Sequence, residues 1–299
     1  MDLKAISKFT EEHLGHKKQL TVLDECQSGV FKSLTSLDFD KDGEYTLLPK
    51  IALYTMAVNL NELNEGMVCC LKAKCYSAVE ALARCSLENA INLLLIVNDS
   101  TTTRCRSLLV HYLKEAKKRA GHWVTFAKSE SDPERVERAE SFFKYVALMQ
   151  HHLKRLNGNR RIPGWPDARS RFIAVGLERQ YHILFAPSSD SIHGFSEDVF
   201  NRTLNELGNE DQPTKEAAHA ATDAEKISFS IYLAASSITM FCEVASILAS
   251  KVERMDIEDE INVFLSKMHG VLSEHESLAD HYYRTRPEIP DYTSEINEI

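Results

Sequence analysis

The stretch at residues 227–250, ISFSIYLAASSITMFCEVASILAS, decides the fold class of this chain. It contains no Lys or Arg, and Glu243 is its one charged residue. Its apolar residues recur with helical rather than alternating spacing. Six Ser, one Thr and the charge make it too polar for a bilayer core, and its Ala and Ser residues suit close packing between helices. We therefore predict the central buried helix of a bundle, with no association with membranes.

The rest of the chain shows the same helical spacing. Segments with this pattern cover 21–37, 50–66, 67–98, 103–128, 132–156, 166–185, 221–252 and 257–283. No Asn-Gly or Asp-Gly turn joins two alternating strands. The chain is therefore predicted to be all-α, folded as an irregular multi-helix bundle.

Changes in composition divide the chain into five parts. We expect an N-terminal helical extension at 1–48, a helical core that carries the motif residues at 49–204, and C-terminal helices packing on that core at 226–285. Between them, 205–225 is polar and acidic and contains Gly and Pro, so it is expected to be an exposed loop or linker. The tail at 286–299 has two Pro and little apolar content, so we expect it to fray.

The charge of the chain is strongly asymmetric. Residues 104–179 contain 17 Lys and Arg against 8 Asp and Glu, a net charge of +9, although the whole chain carries −9. Such a segment is typical of a surface that binds RNA or a nucleotide. The alternative is that the segment packs against the chain's own acidic C-terminal part.

The cysteines indicate a reducing compartment. The chain has seven Cys and no Cys-x-x-Cys pair. Five of them lie in apolar helical context and are expected to be small buried hydrophobes: Cys69, Cys70, Cys75, Cys85 and Cys105. The first residues carry acids and no long apolar run, so no signal peptide is expected. We therefore predict a cytoplasmic protein.

A polar stripe follows one predicted helix. Glu80, Arg84, Glu88 and Asn92 recur every four residues, which places them along one side of a helix whose other faces are apolar. Since an unpaired buried guanidinium is costly, Glu80 and Glu88 are expected to clamp Arg84. Two interpretations remain open, namely a structural ladder of salt bridges that fixes helix register, and a ligand-binding or catalytic site.

A second group of polar residues follows a predicted helix break at Pro187. Tyr181 precedes the break, and Ser189 could cap a short turn that presents His193. A histidine in such a place is expected to be partly exposed and to titrate near neutral pH. The alternative is a histidine that hydrogen-bonds a backbone carbonyl and seals the corner.

Together the two groups resemble a family of bacterial helical proteins of unknown function. The matching residues are Arg84, Glu88 and Asn92 in the first group, and Tyr181, Phe185, Ser189 and His193 in the second. The resemblance covers about residues 50–250. That family is similar to the HEPN-type helical domains of toxin–antitoxin and antiphage defence systems, many of which cut RNA with an Arg-x4–6-His motif. One match to this motif is Arg106–His111. A chain with this many Arg and His residues is expected to contain such a match by chance.

These observations give two functional hypotheses. In the first, a defence- or toxin-associated protein binds a nucleotide, RNA or small ligand in a buried polar pocket. Arg84, Glu80, Asn92 and Ser189 would bind the ligand, and the catalytic residues would be His193, Glu88 and Tyr181. In the second, the protein is a non-enzymatic interaction or scaffold protein whose polar stripe is structural. A protein partner or a homodimer is compatible with either hypothesis.

No cofactor or metal site is predicted. Asp38, Asp40 and Asp42 followed by Gly43 match the start of a calcium loop, but Pro49 stands where the last, bidentate carboxylate is required. We therefore expect no calcium binding.

Overall fold

A computed structural model describes residues 2–37, 47–188, 197–208 and 211–285 of the chain. These residues form helices and turns with no strand, which confirms the all-α multi-helix prediction. The helices are α1 (Leu3–Gly15), a 3-10 turn (His16–Gln19), α2 (Leu20–Thr35), α3 (Leu47–Lys72), α4 (Tyr76–Val97), α5 (Thr103–Ser129), α6 (Pro133–Asn157), α7 (Ala168–Ala174), α8 (Glu178–Gln180), a π-helix (Tyr181–Phe185), α9 (Glu197–Gly208), α10 (Gln212–Lys251) and α11 (Met255–Thr285).

Helix α10 forms the centre of the bundle, as its apolar sequence predicts. It has 40 residues, which corresponds to about 60 Å. Helices α1, α2, α3, α4, α9 and α11 all pack on it. Within the described part of the chain, it is the one helix long and apolar enough to cross a membrane, but 78% of its most apolar window is buried inside the bundle.

Helices α3 and α4 meet at a turn around Lys74, so the predicted boundary at Gly66 is wrong. Gly66 lies inside α3, where a Cβ atom would be in contact with a side chain of α4. The helix ends instead at Lys72, and Lys74 in the turn that follows has a left-handed φ of +61°. The N–H of Lys74 donates to the carbonyl of Leu71 at 3.1 Å, and the N–H of Cys75 donates to that of Cys70 at 2.8 Å. These two bonds define a Schellman motif.

Most of the acidic segment 205–225 is helical, so the prediction of a loop there is wrong. Helix α10 begins at Gln212, and the Asp211 carboxylate accepts a hydrogen bond from the N–H of Thr214 at 2.8 Å. Pro213 occupies the first turn, where no N–H is needed. The acid and the proline, which often favour loops, act here as helix-start signals.

Helices α5 and α6 form a hairpin that packs mainly on itself. Its small core is separate from the main one and contains Ala116, Ala120 and Val146. The guanidinium of Arg106 joins its two ends by donating to the carbonyl of Leu156 and to the side-chain oxygen of Asn157, each at 2.9 Å. Neither helix packs substantially on α11. Packing on that acidic helix therefore does not neutralise the basic segment.

The segment 166–185 is two short helices rather than the single predicted one. Helix α7 ends near Gly176, whose φ is +79°. Helix α8 follows and continues as the π-helix, in which Ala186 donates its N–H to the carbonyl of Tyr181 at 2.9 Å. This change of direction lets the segment lie across α4, which it contacts through α7 and the π-helix.

The N-terminal helices pack against α10 and α11. A close approach occurs at Gly29 of α2, where a Cβ atom would lie 2.2 Å from the Phe264 ring of α11. The ring therefore rests directly on the backbone of α2, and only glycine leaves room for it.

The cysteines are less buried than predicted. Cys105 is buried, but Cys69, Cys75 and Cys85 are exposed and Cys70 is half-buried. Helical apolar context does not decide which side of a helix a residue occupies. Cys69 and Cys85 lie on outward sides of α3 and α4, and Cys75 lies in the turn between these helices.

Candidate functional sites

The polar stripe lies on one helix, as predicted. Glu80, Arg84, Glu88 and Asn92 all belong to α4, whose other faces pack against α3 and α10. Glu80 is buried, and the other three side chains are half-buried. The stripe is therefore the side of α4 that faces neither of its two large neighbours.

Arg171 of α7 binds two residues of this stripe. It is 7% exposed and donates from Nη2 to the Glu88 carboxylate at 2.8 Å and from Nη1 to the Asn92 side-chain oxygen. Its guanidinium carbon also lies 5.9 Å from the centre of the Trp165 ring. Asp167 caps the helix by accepting from the N–H of Ser170 at 2.9 Å, which fixes the start of α7.

The prediction that Glu80 and Glu88 clamp Arg84 is wrong. The guanidinium of Arg84 lies over the ring of Phe185 in the π-helix, with its carbon 4.4 Å from the ring centre. No carboxylate of the described residues is within ion-pair distance of it. A spacing of four residues turns about 40° around a helix, so Arg84 and Glu88 diverge and meet different neighbours. Arg84 thus makes a cation–π contact, and Arg171 supplies the cation for Glu88.

Tyr181 lies close to this arrangement, whereas Ser189 and His193 lie outside the described residues. The ring of Tyr181 is 5.6 Å from that of Phe172 and 5.7 Å from that of Phe185. Because Arg84 lies over the Phe185 ring, Tyr181 is connected to the stripe through its contact with Phe185. The predicted meeting of His193 with Arg84 stays a prediction.

Two cavities lie at the start of α4 rather than along the stripe. The larger, of about 370 Å³, is lined by Lys74, Cys75, Tyr76, Ser77, Ala78, Arg202, Asp223 and Lys226. A neighbouring one, of about 150 Å³, adds Lys17 and Lys72. Asp223 pairs with Arg202 within the larger cavity. Neither cavity includes Arg84, Glu88 or Asn92 in its lining.

The hairpin carries a set of cations that form no ion pair with any described residue. We call residues 104–126 and 144–161 the basic root; it contains eleven Lys and Arg and one acid, Glu115. Nine of these cations are exposed and have no ion pair with any described residue. They are Lys114, Lys117, Lys118, Arg119, Lys144, Lys154, Arg155, Arg160 and Arg161.

The tip of the hairpin, residues 127–143, is different in charge. Its three cations are all paired: Lys128 with Glu140, Arg135 with Glu130 and Asp132, and Arg138 with Glu134. Among the described residues, the ion pairs of the hairpin therefore all lie at the tip, and the described acids do not neutralise the positive charge of the root.

Large aromatic side chains are exposed along the same hairpin. They are Tyr112, Trp123 and Phe126 on α5 and Phe142, Phe143 and Tyr145 on α6. The rings of Trp123 and Phe142 are 5.7 Å apart and connect the two helices. The hairpin thus presents aromatic rings among cations that have no ion pair within the described part of the chain.

A buried polar network joins the N-terminal turn to α10 and α11. The His16 and His275 rings stack with centres 3.6 Å apart. Nδ1 of His16 and Nδ1 of His275 lie 2.6 and 3.4 Å from the hydroxyl of Ser228, and Nε2 of His275 lies 2.7 Å from the Gln19 side-chain oxygen. Burial and the charges of His16 and His13 lower the pKa of His275 to about 3.

Metal-binding geometry is not found among the described residues, in which no three His, Cys, Asp or Glu side chains are grouped to hold an ion. The segment that resembles the start of a calcium loop, at 38–46, lies outside them.

The fold and these sites define a class of protein: a helical bundle with an α4 stripe held by a short crossing segment and a basic, aromatic two-helix hairpin. The chain matches the model of a family of unknown function, DUF5677, over residues 50–212, and it belongs to that family. No curated protein and no solved structure matches the chain. The family segment contains both the stripe and the hairpin, whereas α10 and α11 lie almost entirely beyond it.

Proposed function

We propose that the protein binds single-stranded RNA along the basic root of the α5–α6 hairpin. The observation that carries the proposal is the set of nine exposed cations without ion-pair partners in the described structure. Phosphates gain most from cations that no acid already occupies, because binding then releases counterions without breaking a salt bridge.

The exposed rings favour a single strand over a duplex. Unpaired bases stack on aromatic side chains, whereas a duplex keeps its bases out of reach of such rings. Tyr112 and Tyr145 are 54% and 56% exposed, so each offers a free face. RNA binding is also what the resemblance to HEPN-type domains implies, in a defence or toxin setting.

The proposal assigns binding and no reaction. The Arg-x4-His match at Arg106–His111 does not support RNA cleavage, because Arg106 is 8% exposed and its guanidinium closes the base of the hairpin. The α4 stripe instead supports α7, since Arg171 binds both Glu88 and Asn92.

The test compares two triple variants by fluorescence anisotropy with a labelled single-stranded RNA, over a range of salt concentrations. The first variant changes Lys117, Lys118 and Arg119 of the root to Gln. The second changes Lys128, Arg135 and Arg138 of the tip to Gln, which removes the same net charge from the same hairpin. We expect the root variant to bind more weakly and to lower the slope of log K against log salt by about 2, or about 0.7 per lost phosphate contact.

The tip variant should bind like the unchanged protein, because its cations are already paired. Equal weakening by both variants would show that net charge alone matters, and absence of binding at low salt would refute the proposal. A further variant, Tyr145→Ala, should lose about fivefold or more in affinity if a base stacks there. Preference for duplex RNA would refute the stacking part.

A second candidate function is a protein-interaction role, in which a protein partner or a second copy covers the aromatic side of the hairpin. The Trp123–Phe142 pair and the exposed Phe126 favour it. A concentration-dependent increase in mass, abolished by Phe126→Ser with RNA binding retained, would support this role.

A further inference from the structure

The turn between α3 and α4 brings three cysteines to one place. In a Schellman motif, the residue directly after the left-handed one commonly packs its side chain against two residues of the last helical turn. These two residues lie five and six positions earlier in the chain. Lys74 is the left-handed residue, so Cys75 occupies the position whose side chain commonly packs back in this motif. The two positions that receive it are Cys70 and Cys69. Sulfur therefore occupies every contact position of this helix-ending motif.

The backbone limits how far Cys75 can be from Cys70. The N–H of Cys75 donates to the Cys70 carbonyl with a distance of 2.8 Å. With standard bond lengths, the two Cα atoms are at most about 7 Å apart, and the bends at the nitrogen and oxygen shorten this further. Disulfides join Cα atoms roughly 4.4–6.8 Å apart. The limit on the Cα separation of this pair thus agrees with the range that disulfides span.

The two thiols differ in surroundings. Cys75 is exposed and forms part of the wall of the 370 Å³ cavity. Cys70 is half-buried against the main core. Burial, together with the neighbouring Cys75 and Cys69, raises the pKa of the Cys70 thiol. An accessible thiol beside a shielded one is the arrangement in which the first meets the oxidant and the second resolves the product.

We propose that Cys75 and Cys70 are a redox pair, which peroxides oxidise to a disulfide across the α3–α4 turn. The sulfur of Cys75, as thiolate, attacks one oxygen of hydrogen peroxide. The O–O bond breaks, Cys75 becomes a sulfenic acid, and the other oxygen leaves as water after taking up a proton. Cys70 then attacks the Cys75 sulfur as thiolate, the S–S bond forms, and the sulfenic oxygen leaves as a second water. Two thiols lose two electrons in all, and one peroxide gains them.

The disulfide would connect Cys70 in the last turn of α3 to Cys75, the residue directly before α4. Cys75 stands at the N-cap of α4, so oxidation fixes one wall of the cavity and the start of the helix that carries the polar stripe. The redox pair and RNA binding by the hairpin rest on different residues and stand or fall separately.

The experiment uses full-length protein that is reduced, desalted and exposed to hydrogen peroxide. Remaining thiols are blocked with N-ethylmaleimide before digestion with trypsin. Cleavage after Lys72 and Lys74 places Cys70 in peptide 51–72 and Cys75 in peptide 75–84. We expect mass spectrometry to find these two peptides joined, with the protein still monomeric on a non-reducing gel. Reduction should release both peptides.

Serine variants decide which sulfurs are joined. Cys70→Ser and Cys75→Ser should each abolish the joined peptides. Cys69→Ser and Cys85→Ser, which change exposed thiols nearby, should keep them. The proposal is overturned if both peptides stay fully alkylated after peroxide, if the cross-link survives Cys70→Ser and so runs through Cys69, or if the disulfides found join only separate chains.

Discussion

Acid should destabilise this protein through His275. The ring is buried between His16 and Tyr232, with centres 3.6 and 5.5 Å away, and its pKa is about 3 when the protein is folded. An unfolded histidine has a pKa of about 6.5. Because the folded pKa is the lower one, the unfolded chain binds the proton better. The contribution to stability is therefore complete above pH 6.5 and decreases as the pH falls toward 3.

The magnitude follows from the two pKa values. At pH 5 the unfolded state holds nearly one proton that the folded state does not, and between pH 7 and pH 5 the free energy of unfolding decreases by about 2 kcal/mol. Below pH 5 the decrease continues by about 1.4 kcal/mol per pH unit until the pH approaches 3, where the folded state also binds the proton. His13 and His16, whose pKa values burial also lowers, act in the same direction. Glu243 acts in the opposite direction, because burial raises its pKa.

Urea unfolding at pH 7 and pH 5 measures this effect. The variant His275→Gln keeps a polar side chain that cannot be protonated, so it should lose about 2 kcal/mol less than the unchanged protein between the two pH values. His281→Gln changes an exposed histidine of the same helix and should follow the unchanged protein. If His275→Gln loses as much stability on acidification as the unchanged protein, the reasoning from burial is refuted.

Three further predictions concern packing. Arg171→Met should lower the free energy of unfolding by about 1–3 kcal/mol in urea titrations, because it removes two hydrogen bonds, whereas change of the exposed Arg169 to Met should cost less than about 1 kcal/mol. Gly29→Ala should destabilise by roughly 1–3 kcal/mol because its methyl group meets an aromatic ring, whereas Gly121→Ala, with open space around it, should raise the melting temperature. The isolated fragment 50–212 should lack a cooperative melting transition by circular dichroism, because it ends where α10 begins, and a sharp transition would contradict this.

The sequence predicts those features that depend on local spacing. The apolar period of 227–250 is enough to identify a buried helix, and the four-residue spacing of Glu80, Arg84 and Glu88 is enough to place them on one side of α4, because helix geometry relates neighbours directly. The loop prediction for 205–225 failed because Asp and Pro favour both loops and helix starts, and only the chain that follows distinguishes the two.

The partners of the stripe could not be predicted from spacing. Which cation reaches Glu88 depends on how α7 crosses α4, and that crossing depends on the turn at Gly176. In the sequence, nothing distinguishes Arg171 from the other basic residues of the segment 104–179 as the partner of Glu88. The one local signal is Asp167 four residues earlier, which marks the start of a short helix and so places Arg171 one turn inside it.

The position of α10 late in the sequence determines the order in which the protein can fold during synthesis. Helices α1 to α4 all pack on a helix that ends at Lys251, more than two hundred residues after α2. At about 5–20 residues per second, roughly 10–40 s pass between the appearance of α2 and that of a complete α10. During that interval the apolar sides of the early helices face water or each other. The nascent chain is thus expected to expose aggregation-prone apolar surface until its central helix has left the ribosome.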